Sequence, residues 1–342
     1  MFSYTKYGDK CSNVQIPSQI RTPQATMKAD SSKVSICILC YNAEDSISRA
    51  IESATDQDYP NKEIIVVDDA STDASSKKLK ELQKEYNFNL ITHAQNKGQG
   101  SARNTAIEAA TGEFVIFFDD DDVSTPQRVS QQLKTITAFE TRFRTKLIAC
   151  YASGFRSYPN GYKVFSAAIG STSLTPPHGP DMAKYLLAYY RRKGWFYGAG
   201  TPTSALMIRK KLVQDIGGFD HNFRRVEDVD LAIRLALSGC YFVGSPEMLV
   251  ERQMTDAQYK SAEYNCEAEQ SLAKKYKSFL DEAGLFYHAY NWPNLRYRHF
   301  RGEYLLFASQ LIGLILRNPF RTIEHLLATG PRRLIHEKRM KR

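Results

Sequence analysis

Apolar and polar residues alternate in blocks along the first third of the chain. Short, mostly apolar runs over residues 34–39, 63–67 and 90–92 predict strands. Between the first two runs, residues 47–54 carry apolar side chains at i, i+3, i+4 and i+7, the spacing of a helix with one buried face. Because strands and helices follow one another over short links, the pattern predicts a doubly wound α/β sheet.

A fourth apolar run, residues 114–118, ends in four consecutive aspartates, Asp119 to Asp122. Carboxylates this close raise one another's pKa unless a cation or positive side chains neutralise them. Ligands of open α/β sheets bind outside the carboxyl ends of the strands, so the acids predict a binding site at that edge. A Mg²⁺ ion carrying a phosphate suits the chemistry, since it takes one or two carboxylates plus phosphate oxygens.

Beyond Pro126 the pattern becomes less regular. A helix is expected over residues 127–139, a strand over 147–153 and a further helix from Glu227 onward. Residues 154–200 are rich in Gly, Pro, Tyr and Trp and predict a ligand-facing surface more than a core. The chain is therefore expected to comprise a flexible N-terminal segment (1–32), an α/β domain (33–255) and a helical, basic C-terminal extension (256–342).

Positive charge is concentrated near the C-terminal end. The net charge is +9, and residues 291–342 hold eleven Lys and Arg against three Glu. Residues 304–316 form an uncharged, mostly apolar run that is too short to span a bilayer. The combination indicates an interfacial anchor on an anionic membrane surface, with a helical flap packed on the α/β domain as the alternative. No nucleic-acid-reading motif accompanies the charge, so nucleic acid is not expected as a partner.

The six cysteines do not indicate a metal or redox site. Cys37 and Cys40 have the C-x-x-C spacing, but they lie in a predicted strand, where alternation places them on opposite faces. Buried reduced thiols of a cytoplasmic protein are the expectation. The N-terminal segment lacks the apolar core of a signal peptide, which agrees with a cytoplasmic location.

Several segments, in order, resemble the blocks of family 2 glycosyltransferases, the large inverting group with the GT-A fold. The resemblance covers about residues 33–250. The order of the segments makes it specific, because a lone D-x-D pair is common on protein surfaces. It implies a GT-A fold, with a doubly wound mixed sheet and a C-terminal helical extension. The segments are residues 34–42, 63–73, 96–104, 112–122 and 217–235.

The resemblance implies that the aspartate cluster is a metal site. Asp121 would ligate Mn²⁺ or Mg²⁺, with Asp119 assisting, and the ion would stabilise the departing nucleoside diphosphate. A one-residue slip among the four aspartates, or a solvated acidic turn, are the alternatives. A calcium loop does not fit, because Val123 and Ser124 stand where an EF-hand needs a ligand and a glycine.

The same resemblance implies a site for a UDP- or GDP-type sugar donor. Asp69 would hydrogen-bond the base, with a turn or helix-capping role as the alternative. Asp120 would contact the ribose, and Gly98 would allow close backbone approach. Arg103 would place a cation near the nucleotide or neutralise the acidic cluster, and both can hold. The residues expected to bind the donor are Leu39, Tyr41, Asp69, Gly98, Arg103 and Asp120.

Asp228 matches the family position of the general base, which removes the proton of the acceptor hydroxyl as the new bond forms. The alternative is an ordinary carboxylate at a helix N-terminus. Trp195, Phe196 and Tyr197 are candidates for stacking on an acceptor sugar, with a core or lid role as the alternative.

These features predict a metal-dependent inverting glycosyltransferase, of the hexosyl- or N-acetylhexosaminyltransferase type, that acts in cell-surface polysaccharide or lipid-linked saccharide synthesis. The Gln-x-x-Arg-Trp motif of processive synthases is absent, which favours transfer of one sugar per acceptor. Transfer to a polyprenyl phosphate and a non-catalytic nucleotide-sugar or membrane-binding protein are the alternatives. A peripheral position on the inner face of the cytoplasmic membrane is a further expectation.

Overall fold

The computed structural model describes residues 32–254 and 261–340, which fall within the compact unit Ser32–Arg342. The segment for which the sequence predicts flexibility, residues 1–32, lies outside the described residues except for Ser32.

A nine-stranded mixed sheet forms the centre of the described chain. The strands are β1 (Val34–Cys40), β2 (Lys62–Asp68), β3 (Asn89–Thr92), β4 (Phe114–Asp119), β5 (Val123–Ser124), β6 (Ile148–Ser157), β7 (Lys163–Ser166), β8 (Leu206–Arg209) and β9 (Tyr241–Gln253).

The strand order is β3-β2-β1-β4-β8-β6-β9-β5, with β7 paired to β6. β1 is parallel to β2 and β4, and β2 is parallel to β3. β8 runs antiparallel to both β4 and β6, so the second half of the sheet is mixed. The predicted doubly wound mixed sheet is confirmed.

Seven helices accompany these strands within residues 32–254, together with a 3₁₀ turn at Thr203–Ala205. They are α1 (Ile47–Thr55), α2 (Ser75–Leu82), α3 (Gln99–Ala109), α4 (Arg128–Phe143), α5 (Gly179–Ala188), α6 (Lys210–Asp215) and α7 (Glu227–Leu237).

Both faces of the sheet are covered by helices, which is why its strands are apolar without alternation. Ile36 and Cys40 of β1 belong to one buried cluster and Cys37 to the other, on the opposite face. The predicted separation of the two thiols is therefore confirmed. Burial raises the pKa of both thiols, as expected for inert cysteines packed as small apolar side chains.

The C-terminal region is helical, as predicted. It comprises α8 (Ala262–Lys275), α9 (Lys277–Glu282), α10 (Phe286–Arg301), α11 (Tyr304–Arg317) and α12 (Pro319–Met340). No helix in the described part of the chain is both long enough and apolar enough to cross a bilayer.

The end of α8 is fastened to α7 through a buried carboxylate. Asp230 Oδ1 accepts hydrogen bonds from Lys275 Nζ at 2.6 Å and from the Tyr276 hydroxyl at 2.7 Å. Arg234 donates to the other oxygen at 2.9 Å. The first part of the extension thus packs on the α/β domain, which is the flap alternative for that part.

Residues 154–200 differ from the sequence expectation. They contain β7 and α5, and Ile169 and Tyr197 are buried in the core, so the expectation of a ligand-facing surface was wrong for these parts. Glycine makes the packing possible. Gly170, at φ +73°, passes Phe242 so closely that a Cβ would lie 2.2 Å from the Phe242 carbonyl oxygen.

The longest strand, β9, was not predicted from the apolar pattern. Pro246, Glu247 and Met248 interrupt its buried residues and are exposed. Opposite this interruption the β6–β9 register shifts on either side of Ser153, which is the mark of a bulge.

Candidate active site

The carboxyl ends of β1, β2 and β4 meet at one edge of the sheet. In the parallel register Leu39 of β1 lies opposite Asp119 of β4, and Cys40 lies opposite Asp68 of β2. Tyr41 and Asp69 directly follow these strands. The fold therefore brings together, at this edge, the β-strand ends from which the sequence predicts donor and metal binding.

Three of the four consecutive aspartates form a compact group. Asp119, Asp121 and Asp122 each offer a carboxylate oxygen, and these oxygens lie within 4.8 Å of one another. Asp119 and Asp121 were the predicted ligands, whereas Asp122 was not singled out. Three hard oxygen donors so close together fit Mn²⁺ or Mg²⁺.

Asp122 shows why this group needs a cation. Its Oδ1 accepts a hydrogen bond from the Gln253 N–H at 3.2 Å, while its Oδ2 is buried and has no hydrogen-bond partner among the described residues. Burial, then the charges of Asp119 and Asp121, raise the pKa of Asp122 well above its ordinary value. An unsatisfied buried carboxylate oxygen is costly, and a bound cation would remove the cost.

Asp120 lies outside this group of three and forms a contact of its own. Its Oδ2 accepts a hydrogen bond from the Tyr41 N–H at 3.0 Å, which ties the turn after β1 to the acidic turn. Burial raises the pKa of Asp120 to about 7; the Tyr41 N–H opposes the shift, and the charges of Asp121 and Asp119 add to it. Asp120 and the half-exposed Tyr41 thus lie side by side where the donor is expected.

A buried arginine near the acidic group was missed by the sequence reasoning. Arg128, at the start of α4, donates to Ser124 Oγ at 2.9 Å and to the carbonyl oxygens of Phe117 and Ser204 at 2.9 and 2.7 Å. Burial lowers its pKa to about 9, and the nearby charge of Asp122 opposes the shift. The only signal in the sequence was a cation that opens a predicted helix directly after four acids.

Asp69 is the centre of a loop. Its Oδ1 accepts hydrogen bonds from the Lys97 N–H at 2.9 Å and lies 2.6 Å from His93 Nδ1. Its Oδ2 accepts from the Gly98 N–H at 2.8 Å. Gly98 has φ +87°, a conformation that side-chain-bearing residues rarely adopt. The carboxylate therefore sets the path of the loop that opens α3.

Arg103 connects the two acidic parts of the site. Its buried guanidinium donates to Glu227 Oε1 at 2.8 Å and lies 3.5 Å from Asp119 Oδ1. Burial opposes its charge, but the carboxylates of Asp119 and Glu227 raise the pKa of Arg103. The guanidinium also lies 5.4 Å from the centre of the Phe219 ring. Of the two roles considered for Arg103, neutralisation of the acidic cluster is the one visible here.

Asp228 lies at the start of α7, next to Glu227. Its Oδ1 accepts a hydrogen bond from the Val229 N–H at 2.8 Å. Burial, assisted by the charge of Glu227, raises the pKa of Asp228 to about 6, and Arg103 partly offsets the shift. Val226, which precedes the pair, has φ +59°, an uncommon and strained conformation for a β-branched residue. Such strain is typical of functional sites, and here it sets the entry of the chain into α7.

The three aromatic residues proposed to stack on the acceptor sugar differ in how deeply they are buried. Tyr197 is buried, and its hydroxyl accepts a hydrogen bond from the Arg192 N–H at 2.8 Å, so it has the core role. Trp195 and Phe196 are half-buried, with the Trp195 ring 5.2 Å from the His178 ring.

Among curated proteins, the chain is similar to several bacterial glycosyltransferases. It is 40% identical over 123 residues to EpsH of Bacillus subtilis (strain 168), covering 36% of this chain and 34% of EpsH. It is 39% identical over 100 residues to "UDP-Glc:alpha-D-GlcNAc-diphosphoundecaprenol beta-1,3-glucosyltransferase WfgD" of Escherichia coli, covering 29% of this chain and 39% of WfgD. The chain therefore spans only about a third to two fifths of these two relatives.

Among solved structures, S. aureus TarS (residues 1–349, in complex with UDP-GlcNAc) is similar with a TM-score of 0.56 and 20% identity, covering 85% of this chain and 82% of that chain. The mannosyltransferase PcManGT of Pyrobaculum calidifontis, in complex with GDP-Man and Mn²⁺, has a TM-score of 0.50 and 18% identity, covering 89% and 81%. At such low sequence identity, the structural similarity shows only that the fold is shared.

The family assignment is based on the sequence itself. Residues 35–212, just over half of the chain, match the family model described as "Glycosyl transferase family 2". The matched segment contains β1 to β4 with the acidic cluster, and it ends before α7. The chain belongs to glycosyl transferase family 2.

Proposed function

We propose that this chain is a metal-dependent inverting glycosyltransferase that moves one sugar from a UDP- or GDP-type donor to a hydroxyl of a glycan acceptor. The observation that carries the proposal is the bridge made by Arg103, which lies 3.5 Å from Asp119 and 2.8 Å from Glu227, next to Asp228. A metal-binding group and a candidate base thus share one edge of the sheet.

The acidic group would hold the cofactor. Asp119, Asp121 and Asp122 would ligate Mn²⁺ or Mg²⁺ through oxygens that already lie within 4.8 Å of one another. When bound, the ion would supply positive charge that stabilises the leaving nucleoside diphosphate. A Mn²⁺ ion accompanies GDP-Man in the PcManGT complex, which supports the same pairing here.

The donor would lie along the ends of β1 and β2. Asp69 Oδ2 accepts one hydrogen bond among the described residues, from Gly98, so it retains a lone pair for an N–H of the base. Asp120, fixed by Tyr41, would contact the ribose. UDP-GlcNAc in the TarS complex and the UDP-Glc in the name of WfgD favour a UDP-sugar. Leu39, Tyr41, Asp69, Gly98, Arg103 and Asp120 form the proposed donor site.

Asp228 would act as the base in an in-line displacement. The acceptor oxygen forms a bond to the anomeric carbon as the bond from that carbon to the diphosphate oxygen breaks. The acceptor proton moves to a carboxylate oxygen of Asp228. A pKa of about 6 keeps this carboxylate ionised at neutral pH and brings its proton affinity closer to that needed for the transfer.

The acceptor class is a growing surface polysaccharide or a lipid-linked saccharide. WfgD, by its name, acts on a GlcNAc-diphosphoundecaprenol acceptor, which supports this class. The chain would then work peripherally on the inner face of the cytoplasmic membrane, where the basic C-terminal region would favour anionic lipids.

A donor screen tests the proposal. A panel of UDP- and GDP-sugars is added with Mn²⁺, and thermal stability and release of the nucleoside diphosphate are measured. The correct donor raises the melting temperature by mass action. Asp121→Asn and chelation by EDTA should each reduce release by about 10³-fold, since the charge on the leaving group is no longer stabilised. Asp45→Asn, at an exposed acid of the same domain, serves as the control.

Two other functions predict different outcomes. A polyprenyl phosphate acceptor is already an anion and needs no base, so near-normal turnover by Asp228→Asn would favour it. A non-catalytic nucleotide-sugar or membrane-binding protein would bind a donor without releasing the nucleoside diphosphate, with or without Mn²⁺.

A further inference from the structure

We propose that the outward surface of α11 and α12 docks on an anionic lipid bilayer. The inference rests on the membrane location in the proposed function, and it names the surface and the lipid. The surface, here termed the docking face, consists of Leu305, Ile312 and Leu316 of α11 and Phe320, Ile323, Leu327 and Leu334 of α12.

In α11 three of the exposed apolar residues form one row. Leu305, Ile312 and Leu316 are spaced by seven and four residues, which places them on one side of a helix. They are 89, 56 and 79% exposed. Leu314, on the opposite side, is fully buried and packs with Trp292 of α10.

In α12 the same arrangement recurs. Phe320, Ile323, Leu327 and Leu334 follow helical spacing and are 89, 46, 68 and 57% exposed. His325 lies on the opposite side, buried against Trp292 at a ring distance of 3.7 Å.

Each row lies on the exposed side of its own helix. Leu314 of α11 and His325 of α12 both pack on Trp292 of α10, so the opposite side of each helix is turned away from α10. Exposed apolar rows of this kind mark an interaction site, because a folded chain gains nothing by leaving them in water.

The charges beside the docking face select an anionic partner. Lys338 is exposed and lies five helical turns beyond Phe320, in the same row of α12. Arg317 is exposed next to Leu316, and its guanidinium lies 4.3 Å from the centre of the Tyr287 ring of α10. Neither forms an ion pair with a carboxylate in the described residues. Apolar residues flanked by cations are the pattern of a helix lying in the interface of an anionic membrane.

The same charge argues against a second copy of this chain as the occupant. A two-fold interface would place the docking face against itself. Residues 291–342, with eleven cationic against three acidic side chains, would then face a segment of like charge. An anionic bilayer gains from that charge, whereas a second copy is repelled by it.

A cavity of about 330 Å³ opens beside Phe320, lined also by Lys184, Tyr190 and Arg321. Its cations are already paired, Lys184 with Asp181 at 3.1 Å and Arg321 with Glu324 at 2.9 Å. Because its charge is compensated, the attraction to anionic lipid is assigned to the docking face and its flanking cations.

Vesicle flotation tests the proposal with the full chain. Wild type should float with vesicles that contain phosphatidylglycerol and remain unbound with pure phosphatidylcholine. The variant Leu305→Ser, Leu316→Ser, Phe320→Ser, Leu327→Ser should lower the partition coefficient by roughly 10²-fold or more, since four apolar side chains no longer enter the interface. Leu174→Ser with Met248→Ser, at exposed apolar residues of the α/β domain, should bind as wild type does.

A second variant tests whether binding to the vesicles requires the positive charges. Arg317→Gln with Lys338→Gln should lower binding to the anionic vesicles by about tenfold or more. Lys77→Gln with Lys211→Gln, at exposed lysines of the α/β domain, should have no effect.

Three results would overturn the proposal: no flotation by wild type, equal binding to neutral vesicles, or a wild-type dimer in light scattering that the four-serine variant converts to a monomer. Release of nucleoside diphosphate is measured in parallel, without vesicles and with a soluble acceptor. Flotation without turnover would contradict the proposed function alone, and turnover without flotation would contradict the docking face alone.

Discussion

Asp69 after β2 and Asp228 at the start of α7 are both carboxylates of the proposed site, but their surroundings differ. Both oxygens of Asp69 are engaged, by two backbone N–H groups and by His93. Asp228 accepts one hydrogen bond, from the adjacent Val229, and burial raises its pKa to about 6. The first carboxylate is held by several polar groups, and the second by a single backbone N–H.

The difference distinguishes Asp69, which holds a loop of the proposed site in place, from Asp228, which can take part in the reaction. Donors aimed at Asp69 hold the loop at residues 96–98. The raised pKa of Asp228 means that it takes up a proton readily. Stability and reactivity should therefore respond in opposite ways when each charge is removed.

The largest effect is expected for catalysis by Asp228→Asn. The rate of transfer should fall by about 10²–10⁴-fold, because an amide cannot accept the acceptor proton. Steady-state kinetics should show the loss in kcat with little change in donor KM. Wild-type activity should also fall as the pH drops below about 6, where this carboxyl is protonated, and the variant should lack that limb. A variant with an unaltered pH profile would rule out Asp228 as the base.

The next effect concerns the bridge between the two acidic regions. Arg103→Met leaves Glu227 buried without its cation and should lower the free energy of unfolding by about 3–5 kcal/mol, measured by urea denaturation. Arg103→Lys should recover part of the loss. Arg142→Met, at an exposed arginine of α4, is the control. A loss as small as that of the control would mean that the bridge is not formed in solution.

Asp69→Asn tests whether the Asp69 carboxylate holds the loop at residues 96–98. An amide nitrogen would face a backbone N–H donor, so the free energy of unfolding should fall by about 2–3 kcal/mol. Because the loop that opens α3 is released, donor affinity measured by calorimetry should fall as well. Asp45→Asn should leave both unchanged, and wild-type stability in Asp69→Asn would contradict the contrast drawn here.

The smallest effect has the opposite sign. The pKa of Asp228 is raised in the folded state, so its charge destabilises the fold above about pH 6, and this penalty vanishes near pH 4, where the carboxyl is protonated. Asp228→Asn should therefore raise the free energy of unfolding by about 1–3 kcal/mol at pH 7, and the gain should disappear toward pH 4. Equal stability of wild type and variant at pH 7 would contradict the raised pKa.

The parallel half of the sheet could be predicted from the sequence because its signals are local. β1, β2 and β4 are mostly apolar runs, and each ends next to polar residues of the proposed site. Two aspartates of the acidic cluster, Asp119 and Asp121, could also be named, since they lie at the end of one strand.

The mixed half depends on contacts that no local pattern encodes. β9 contains an exposed interruption at residues 246–248, so its apolar run is broken into two short pieces. The role of Asp122 follows from the return of Gln253, more than a hundred residues later, to donate to it. Arg128 likewise gains its importance from carbonyl groups on two other elements, which only the folded chain brings to it.

The hydrogen bonds that Lys275 and Tyr276 donate to Asp230 determine where this chain can be shortened or joined to a relative. A fragment cut at residue 255 would retain Asp230 inside α7 but lose two of its three partners. A buried carboxylate that has lost partners lowers the stability of a protein severely. A shortened form of this chain, or a chimera with a relative, should therefore extend through Tyr276 at least.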